Sequence, residues 1–316
     1  MKRIFALIIA LLTLISTVAC STADTNEEGA VTTDEITTEA QTTETTKEET
    51  TEPPLIGEDV DPLLAKIAKN IAESEEYLIF SIGDSLTEGQ GASNAKEKDY
   101  TAMFAKKLGE VLPQKDITRV DGVRNTDATA ILYPKRGWPI QKGTGKGEIT
   151  VVRCGIGGNT VKRIIARSSD FIGKEINGQM GNLFIICSGI NDSSSGNAQK
   201  YAPPRTYKEQ LGTLVDMIYA THPEADIILM TPTYAGDGTS LNPYATVMTQ
   251  LAKERSIALI DLHKLWMDHK IAGAENYGQG DWLNSGTNDS CHPSDIGHEA
   301  IADEMIRALF GDKKSK

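Results

Sequence analysis

Cysteine is scarce in this chain, with four in 316 residues. Three remain if Cys20 carries a modification, and an odd number argues against a full disulfide framework. No Cys-x-x-Cys pair or closely spaced Cys/His set occurs, so the sequence predicts no metal site. Cys154 and Cys187 lie in apolar, strand-like segments. We expect both to be small core residues, and a disulfide between them is the alternative.

Several familiar signatures of other functions are missing as well. There is no basic stripe of the kind that binds nucleic acid, and no Gly-x-Ser-x-Gly elbow. The segment "GIGGNT" at 155–160 lacks the Gly-x-Gly-x-x-Gly spacing of a dinucleotide-binding loop. The sequence therefore predicts neither a nucleic-acid partner nor a nucleotide cofactor.

No hydrophobic run is long enough to span a bilayer, since the apolar segment 4–15 has twelve residues and a transmembrane helix needs roughly 20. Lys2 and Arg3 precede it and small residues follow it, as in a secretory signal peptide. An uncleaved anchor helix is the alternative. Val18-Ala19-Cys20 is similar to the end of a bacterial lipoprotein signal, although Thr17 stands where Leu, Val or Ile is usual. We therefore expect residues 1–20 to be a signal peptide and Cys20 to be lipidated.

Residues 21–54 contain almost nothing to bury. Twelve of these 34 residues are Thr and ten are Asp or Glu, against one Lys. Such a segment cannot offset its ordering entropy, so we expect a disordered tether. The formal net charge of the chain is −12. The expected signal peptide contributes +2 and the tether −9, which leaves a net charge of −5 on residues 55–316. The sequence predicts that these residues form one domain, held outside the cell at the membrane surface.

Apolar, strand-like runs alternate with helix-period segments throughout that domain. The predicted strands are apolar on both faces, as in parallel sheets covered by helices. Alternation of strands and helices predicts right-handed crossovers and a five-stranded parallel sheet in an α/β fold. The strands are expected at 77–82, 149–153, 183–188, 225–230 and 258–262.

Ligands of such sheets bind beyond the carboxyl ends of the strands. Ser85 follows the first predicted strand in "SIGDSLTEGQG", where a nucleophile would be raised at the edge of the sheet. An unassisted serine hydroxyl is weak at neutral pH, so it needs a base. His292 in "NDSCHPSDIGH" is the candidate base, and Asp289 three residues earlier can orient its ring. Taken alone, the Asp-x-x-His pattern is more typical of an N-terminal helix cap with a solvated histidine.

Acyl transfer also needs donors directed at the developing oxyanion. Three such donors are expected at the carboxyl ends of the strands. They are the Ser85 backbone N–H, the Gly158 N–H in the glycine turn "GIGGNT" at 155–160, and the Asn191 side chain in "SGIND". Each also has a structural interpretation, since glycine turns punctuate loops and Asn before a helix is a common cap.

Taken in order, these segments resemble the SGNH, or GDSL-type, hydrolase family. The four matching blocks are "GDSLTEG" at 83–89, "GIGGNT" at 155–160, "GIND" at 189–192 and "DSCHP" at 289–293. The resemblance implies a flavodoxin-like three-layer α/β/α sandwich. It implies a cofactor-independent serine esterase with Ser85 as nucleophile, His292 as base and Asp289 as orienting acid. Ser85, Gly158 and Asn191 would form the oxyanion hole.

Two features depart from the family pattern. Arg153 stands two residues before the glycine block, where the family often has Asn. Residues 113–148 form a long insert that either walls the substrate cleft or decorates the surface. Trp282 and, within the insert, Trp138 are candidate substrate-stacking aromatics, with core packing as the alternative for Trp282.

The resemblance implies hydrolysis of esters or thioesters. Exposure to extracellular polymers and the candidate aromatics favour a short acyl ester as substrate, an acetyl group on a carbohydrate. A lysophospholipase or acyl-thioesterase with the same triad is the alternative enzyme. A non-catalytic glycan-binding surface lipoprotein is the alternative outside enzymes.

Overall fold

The computed structural model describes residues 55–233, 239–271, 282–283 and 291–312. The expected leader, the tether and Cys20 lie outside these residues. Nine strands occur in the described part of the chain. They are β1 (Glu76–Gly83), β2 (Asp116–Asp121), β3 (Val123–Arg124), β4 (Ile131–Leu132), β5 (Trp138–Gln141), β6 (Glu148–Gly155), β7 (Leu183–Cys187), β8 (Asp226–Met230) and β9 (Ala258–Ile260).

Helices connect these strands and cover both faces of the sheet. They are α1 (Pro62–Glu73), α2 (Ser85–Glu88), α3 (Ala95–Lys98), α4 (Tyr100–Val111), α5 (Val161–Ala166), α6 (Pro204–Thr221), α7 (Asn242–Arg255), α8 (Leu262–Ile271) and α9 (Asp295–Phe310), with short 3₁₀ turns at Ser168–Asp170 and Thr239–Leu241. No helix within the described ranges is long and apolar enough to cross a membrane.

The main sheet has seven strands in the order β5-β2-β6-β1-β7-β8-β9. All neighbours pair in parallel except β5, which runs antiparallel to β2 at the edge. The five predicted strands correspond to β6-β1-β7-β8-β9, which is the flavodoxin-like arrangement. The predicted three-layer sandwich is thus confirmed, with two strands more than expected.

The additional strands β2 and β5 come from the 113–148 insert. The strand β2 carries Asp116, Arg119 and Asp121, so its sequence lacks the continuous apolar run that marks the other strands. Arg119 and Asp121 are nevertheless buried, because they form ion pairs inside the protein. Because these buried residues are charged, β2 has no apolar run by which a buried strand could be predicted.

Two apolar cores lie on opposite faces of the sheet. One lies under α1, α4, α8 and α9, and the other under α5, α6 and α7. Alternate residues of each strand enter alternate cores. Cys187 belongs to the first core and Cys154 to the second, and both are free thiols. The alternative of a Cys154–Cys187 disulfide is therefore wrong, and the prediction that both are core residues is confirmed.

Candidate active site

Ser85 lies where the buried strand β1 ends and the one-turn helix α2 begins. Asp84 caps this helix, and its carboxylate accepts a hydrogen bond from the Leu86 N–H at 3.1 Å. Gly83 allows the close approach of neighbouring chain at this point. A Cβ there would stand 2.4 Å from the Cys187 carbonyl oxygen and 2.2 Å from Thr87 Oγ1. Ser85 is thereby held at the carboxyl edge of the sheet, and it is 6% exposed.

The glycine turn 155–160 lies against α2, the helix that begins at Ser85. The Gly157 N–H donates to Glu88 Oε2 at 2.9 Å, and a Cβ on Gly155 would stand 2.2 Å from the Glu88 nitrogen. Gly158 adopts a φ of +77°, a conformation that glycine takes without strain. The turn therefore approaches α2 closely, and its residue 158 has no side chain.

Arg167 fixes the far side of this turn from the buried end of α5. Its Nε donates to Asn159 Oδ1 at 2.8 Å, and its Nη2 lies 3.0 Å from the carbonyl oxygens of both Gly83 and Cys154. One guanidinium thus joins the ends of β1 and β6 to the residue that follows Gly158. The sequence patterns gave no indication of this role, because an isolated arginine in a helix segment is ordinary.

Asn191 joins the serine loop to the glycine turn. Its Nδ2 lies 3.3 Å from Asp84 Oδ2 and 3.1 Å from the Asn159 carbonyl oxygen. Asp84 precedes Ser85, and Asn159 follows Gly158. The three predicted oxyanion-hole residues are therefore brought together by direct hydrogen bonds between their loops.

His292 approaches the same loops from the segment before α9. A Cβ placed on Gly91 would stand 2.1 Å from the Pro293 carbonyl oxygen and 3.0 Å from His292 Cβ, so the loop after α2 packs against these two residues. Burial raises the pKa of the Asp84 carboxyl, and the nearby His292 opposes part of that rise electrostatically. The Sγ of Cys291 is 3.8 Å from His292 Nδ1. Asp289, the predicted orienting acid, lies outside the described residues.

A second histidine, His298, holds the loop that follows Ser85. Its Nδ1 accepts from the Tyr100 N–H at 3.2 Å, and its Nε2 lies 3.1 Å from the Gln90 carbonyl oxygen. This pairing places the ring proton on Nε2. Burial lowers the pKa of His298, which favours this neutral form. The sequence contains this histidine, but its spacing gave no indication of its partners.

Two buried carboxyls flank Asn191. Burial raises the pKa of Asp84 to about 6 and that of Asp192 to about 7, and the charge of Asp84 adds to the effect at Asp192. The Val161 N–H lies 3.2 Å from Asp192 Oδ1. The surroundings of these two carboxyls thus exclude water, and the ionised form of each is disfavoured there.

Arg153, the departure from the family pattern, belongs to a buried ion-pair network. Its Nη1 donates to the Glu88 carbonyl oxygen at 2.9 Å and to Asp99 Oδ2 at 3.1 Å. Arg119 lies 2.5 Å from the same Asp99 oxygen and 2.7 Å from Asp121 Oδ1. These arginines hold the pKa of Asp99 below its usual value. Arg153 therefore stabilises the last residue of α2 through the Glu88 carbonyl oxygen.

The two candidate aromatic contacts differ in their surroundings. Trp282 stacks on His269 at 3.7 Å between ring centroids and meets Trp266 edge-on at 4.8 Å, against the first core. Core packing therefore accounts for its placement. Trp138 is 51% exposed, with the ammonium of Lys96 4.8 Å from its ring centroid. It begins β5, opposite Arg119.

The insert reaches the glycine turn through its short hairpin β3–β4. Arg124 Nε lies 3.2 Å from Glu88 Oε1, and the other oxygen of that carboxylate receives the Gly157 N–H. This contact favours the hypothesis that the insert walls the cleft. Among the residues that the structure describes, no group of three or more His, Cys, Asp or Glu could hold a metal ion.

Several solved structures of esterases share this fold. An acetylxylan esterase from Geobacillus stearothermophilus is 22% identical, with 76% of this chain and 97% of that chain covered and a TM-score of 0.52. A two-domain esterase active on acetylated mannans is 19% identical, with 80% of this chain and 55% of that chain covered and a TM-score of 0.55. A peptidoglycan O-acetylesterase is 14% identical, with coverages of 78% and 95% and a TM-score of 0.53. At these identities the likeness shows the fold.

The family itself is shown by sequence. None of the curated proteins compared with the chain matches it. The model of the GDSL-like lipase/acylhydrolase family matches residues 132–300, more than half of the chain, which include the glycine turn, Asn191 and His292. The chain therefore belongs to the GDSL-like lipase/acylhydrolase family, and it is a carboxylic ester hydrolase.

Proposed function

We propose that this protein is a serine esterase that removes acetyl groups from carbohydrate outside the cell. The observation that carries the proposal is the hydrogen-bonded convergence of three loops at Asn191. Its amide nitrogen contacts the residue before Ser85 and the residue after Gly158. Such a convergence supports the proposal of a nucleophile at Ser85 with oxyanion donors beside it at one edge of the sheet.

Ser85 is the proposed nucleophile and His292 the general base. His292 removes the proton from Ser85 Oγ as that oxygen forms a bond to the ester carbonyl carbon. The carbonyl oxygen becomes an oxyanion. When it reforms the double bond, the bond to the alcohol oxygen breaks and His292 returns the proton to the leaving alcohol. Water then repeats the sequence on the acyl-enzyme and releases the acid. Asp289 is proposed to orient the His292 ring.

The oxyanion is proposed to bind the N–H groups of Ser85 and Gly158 and the Asn191 side chain. The Ser85 N–H is at the first position of α2, where backbone donors have no partner within the helix. Removal of one such donor costs about 3–4 kcal/mol of transition-state stabilisation in studied hydrolases. We therefore expect Asn191→Ala to lower kcat by roughly two orders of magnitude.

Acetylated carbohydrate is the proposed substrate class. Support comes from the structural neighbours, which are described as esterases of acetylated xylan, mannan and peptidoglycan. Trp138 offers an exposed indole on the insert, a surface that suits the apolar face of a sugar ring. The proposed export signal, lipidated Cys20 and acidic tether would hold the enzyme at the membrane surface, where it meets such polymers.

Hydrolysis of p-nitrophenyl esters from acetate to palmitate tests this proposal. We expect the highest kcat/KM at acetate, and we expect Ser85→Ala to abolish turnover while the thermal unfolding midpoint is retained. A maximum at long chains would instead favour a lysophospholipase or thioesterase. If wild-type turnover equals that of Ser85→Ala on every ester while acetylated glycan is still bound, the protein is a glycan-binding member.

A further inference from the structure

Lys200 lies against two of the three proposed oxyanion donors. Its Nζ is 3.1 Å from Asn191 Oδ1. The same ammonium is 3.4 Å from the position that a Cβ on Gly158 would occupy. Lys200 belongs to neither the glycine turn nor the Gly-Ile-Asn-Asp block, and it comes from the loop between β7 and α6.

That loop holds Lys200 in place through its own backbone. The Lys200 N–H donates to the Asn197 carbonyl oxygen at 2.9 Å, and the Ala202 N–H donates to the Asp192 carbonyl oxygen at 2.9 Å. Tyr244 Oη lies 2.7 Å from the Ala202 carbonyl oxygen. The residues on either side of Lys200 are therefore anchored, and its half-buried side chain extends toward Asn191.

The contact fixes which way the Asn191 amide faces. An ammonium only donates, so the atom that faces it must be the amide oxygen. The NH₂ group then faces Asp84 Oδ2 and the Asn159 carbonyl oxygen, which only accept from it. Rotation of the amide by 180° would oppose donor to donor and acceptor to acceptor on every side.

The contact also changes how strongly Asn191 donates. A positive charge on the amide oxygen draws electron density from the NH₂ group, and chains of hydrogen bonds polarise one another in this way. The Nδ2 contact to Asp84 is the longer of its two, at 3.3 Å. The Asn191 amide hydrogen in this longer contact is the one that could instead be donated to a bound oxyanion.

From this geometry we propose that Lys200 is a positioning residue of the oxyanion hole, acting through the Asn191 side chain. The inference rests on the proposed function, because it takes Asn191 as an oxyanion donor. Within the part of the chain that the structure describes, Lys200 has no carboxylate ion-pair partner. An ion pair with a described carboxylate therefore does not explain the position of Lys200.

The test compares Lys200→Met, Lys200→Arg and the wild-type protein on p-nitrophenyl acetate. We expect Lys200→Met to lower kcat about 10–50-fold with KM within about 3-fold, the pattern of an interaction lost only in the transition state. Lys200→Arg keeps a donor toward Asn191 Oδ1 and should retain at least about a third of kcat. Lys162→Met is the matched control, because it removes the same charge from an exposed position in α5 and should leave kcat unchanged.

A double variant separates positioning from other effects. In an Asn191→Ala background, Lys200→Met should lower kcat by less than about 2-fold further, since residues that act as a unit are not additive. Fully additive losses, or a KM that rises as kcat falls, would overturn the proposal. The thermal unfolding midpoint of each variant is recorded so that misfolding is recognised.

The failure of this inference is distinguishable from failure of the proposed function. If Ser85→Ala abolishes turnover but Lys200→Met leaves kcat unchanged, the role of Lys200 is wrong and the esterase mechanism stands. If turnover does not depend on Ser85, both proposals are overturned.

Discussion

Glu88 and Gly157 are joined by a hydrogen bond of 2.9 Å from the glycine N–H to the carboxylate Oε2. The bond links the helix that carries Ser85 to the turn that carries Gly158, across 69 residues of sequence. Glu88 Oε1 also pairs with Arg124 of the insert hairpin. One carboxylate therefore sets the relative position of three segments around the proposed site.

Replacement of Glu88 should loosen the glycine turn. We expect Glu88→Ala to lower kcat on p-nitrophenyl acetate about 10-fold, because a misplaced oxyanion donor weakens transition-state binding. Glu88→Gln keeps an acceptor for the Gly157 N–H and should lose no more than about 3-fold. Equal losses in the two variants would show that the Arg124 ion pair, rather than the hydrogen bond, is what matters.

Asp192 should make the fold less stable as the pH rises. Its pKa is about 7 in the folded protein and about 3.9 when unfolded. The folded state therefore binds more protons between these values. The contribution of Asp192 is full below about pH 4 and is lost as pH rises through 7, by roughly 2–4 kcal/mol. Urea unfolding from pH 4 to 8 should show a smaller decline in Asp192→Asn than in wild type. A parallel pH dependence in both proteins would contradict this assignment.

Asp99 should be essential to stability because it neutralises two buried arginines. Both Arg119 and Arg153 contact its Oδ2 atom. Removal of one partner leaves uncompensated buried charge, so Asp99→Asn should lower the free energy of unfolding by about 3–5 kcal/mol. Glu209→Gln, which breaks the exposed pair with Arg205, is the control and should cost less than about 0.5 kcal/mol. Chemical denaturation measures both, and similar losses would show that the network is not buried in solution.

Measurements of stability and of activity should distinguish the roles of Trp138 and Trp282. Trp282→Ala should lower the free energy of unfolding by about 2–3 kcal/mol, because the indole packs on Trp266 and His269. Trp138→Ala removes an exposed ring and should cost less than about 1 kcal/mol. It should lower kcat/KM on acetylated xylan but not on p-nitrophenyl acetate. If Trp138→Ala leaves both substrates unaffected, Trp138 makes no glycan contact.

The thiols of Cys154 and Cys187 should be unreactive in the native protein. Both are buried, and burial raises the pKa of each, so little reactive thiolate forms. Peptide mass spectrometry after iodoacetamide treatment should find neither modified until denaturant is added. Cys291, which is partly exposed, serves as the internal comparison. A peptide containing a Cys154–Cys187 disulfide would contradict their placement on opposite faces of the sheet.

Much of the fold could be predicted because its determinants are local. The five predicted strands are runs of apolar residues, and their alternation with helices restricts the topology to a parallel sheet. The strand β2 was missed because Arg119 and Asp121 interrupt its apolar pattern, and only their partners explain their burial. The edge strand β5 is short and contains a proline, so its sequence resembles a loop.

The family, the alternation of strands and helices, and the identity of the residues proposed for catalysis could all be inferred from the sequence alone. Ser85, Gly158, Asn191 and His292 stand in short motifs, and a motif requires only neighbouring residues. The groups that support these residues are visible only in the folded protein: Glu88 contacts Gly157, Arg167 contacts Asn159, His298 contacts Gln90 and Lys200 contacts Asn191. The Glu88 and His298 contacts join residues 69 and 208 positions apart in the chain, whereas Arg167 and Lys200 lie only 8 and 9 positions from their partners. A hydrogen bond depends on distance in space, and that distance is set by the packing of the whole sheet.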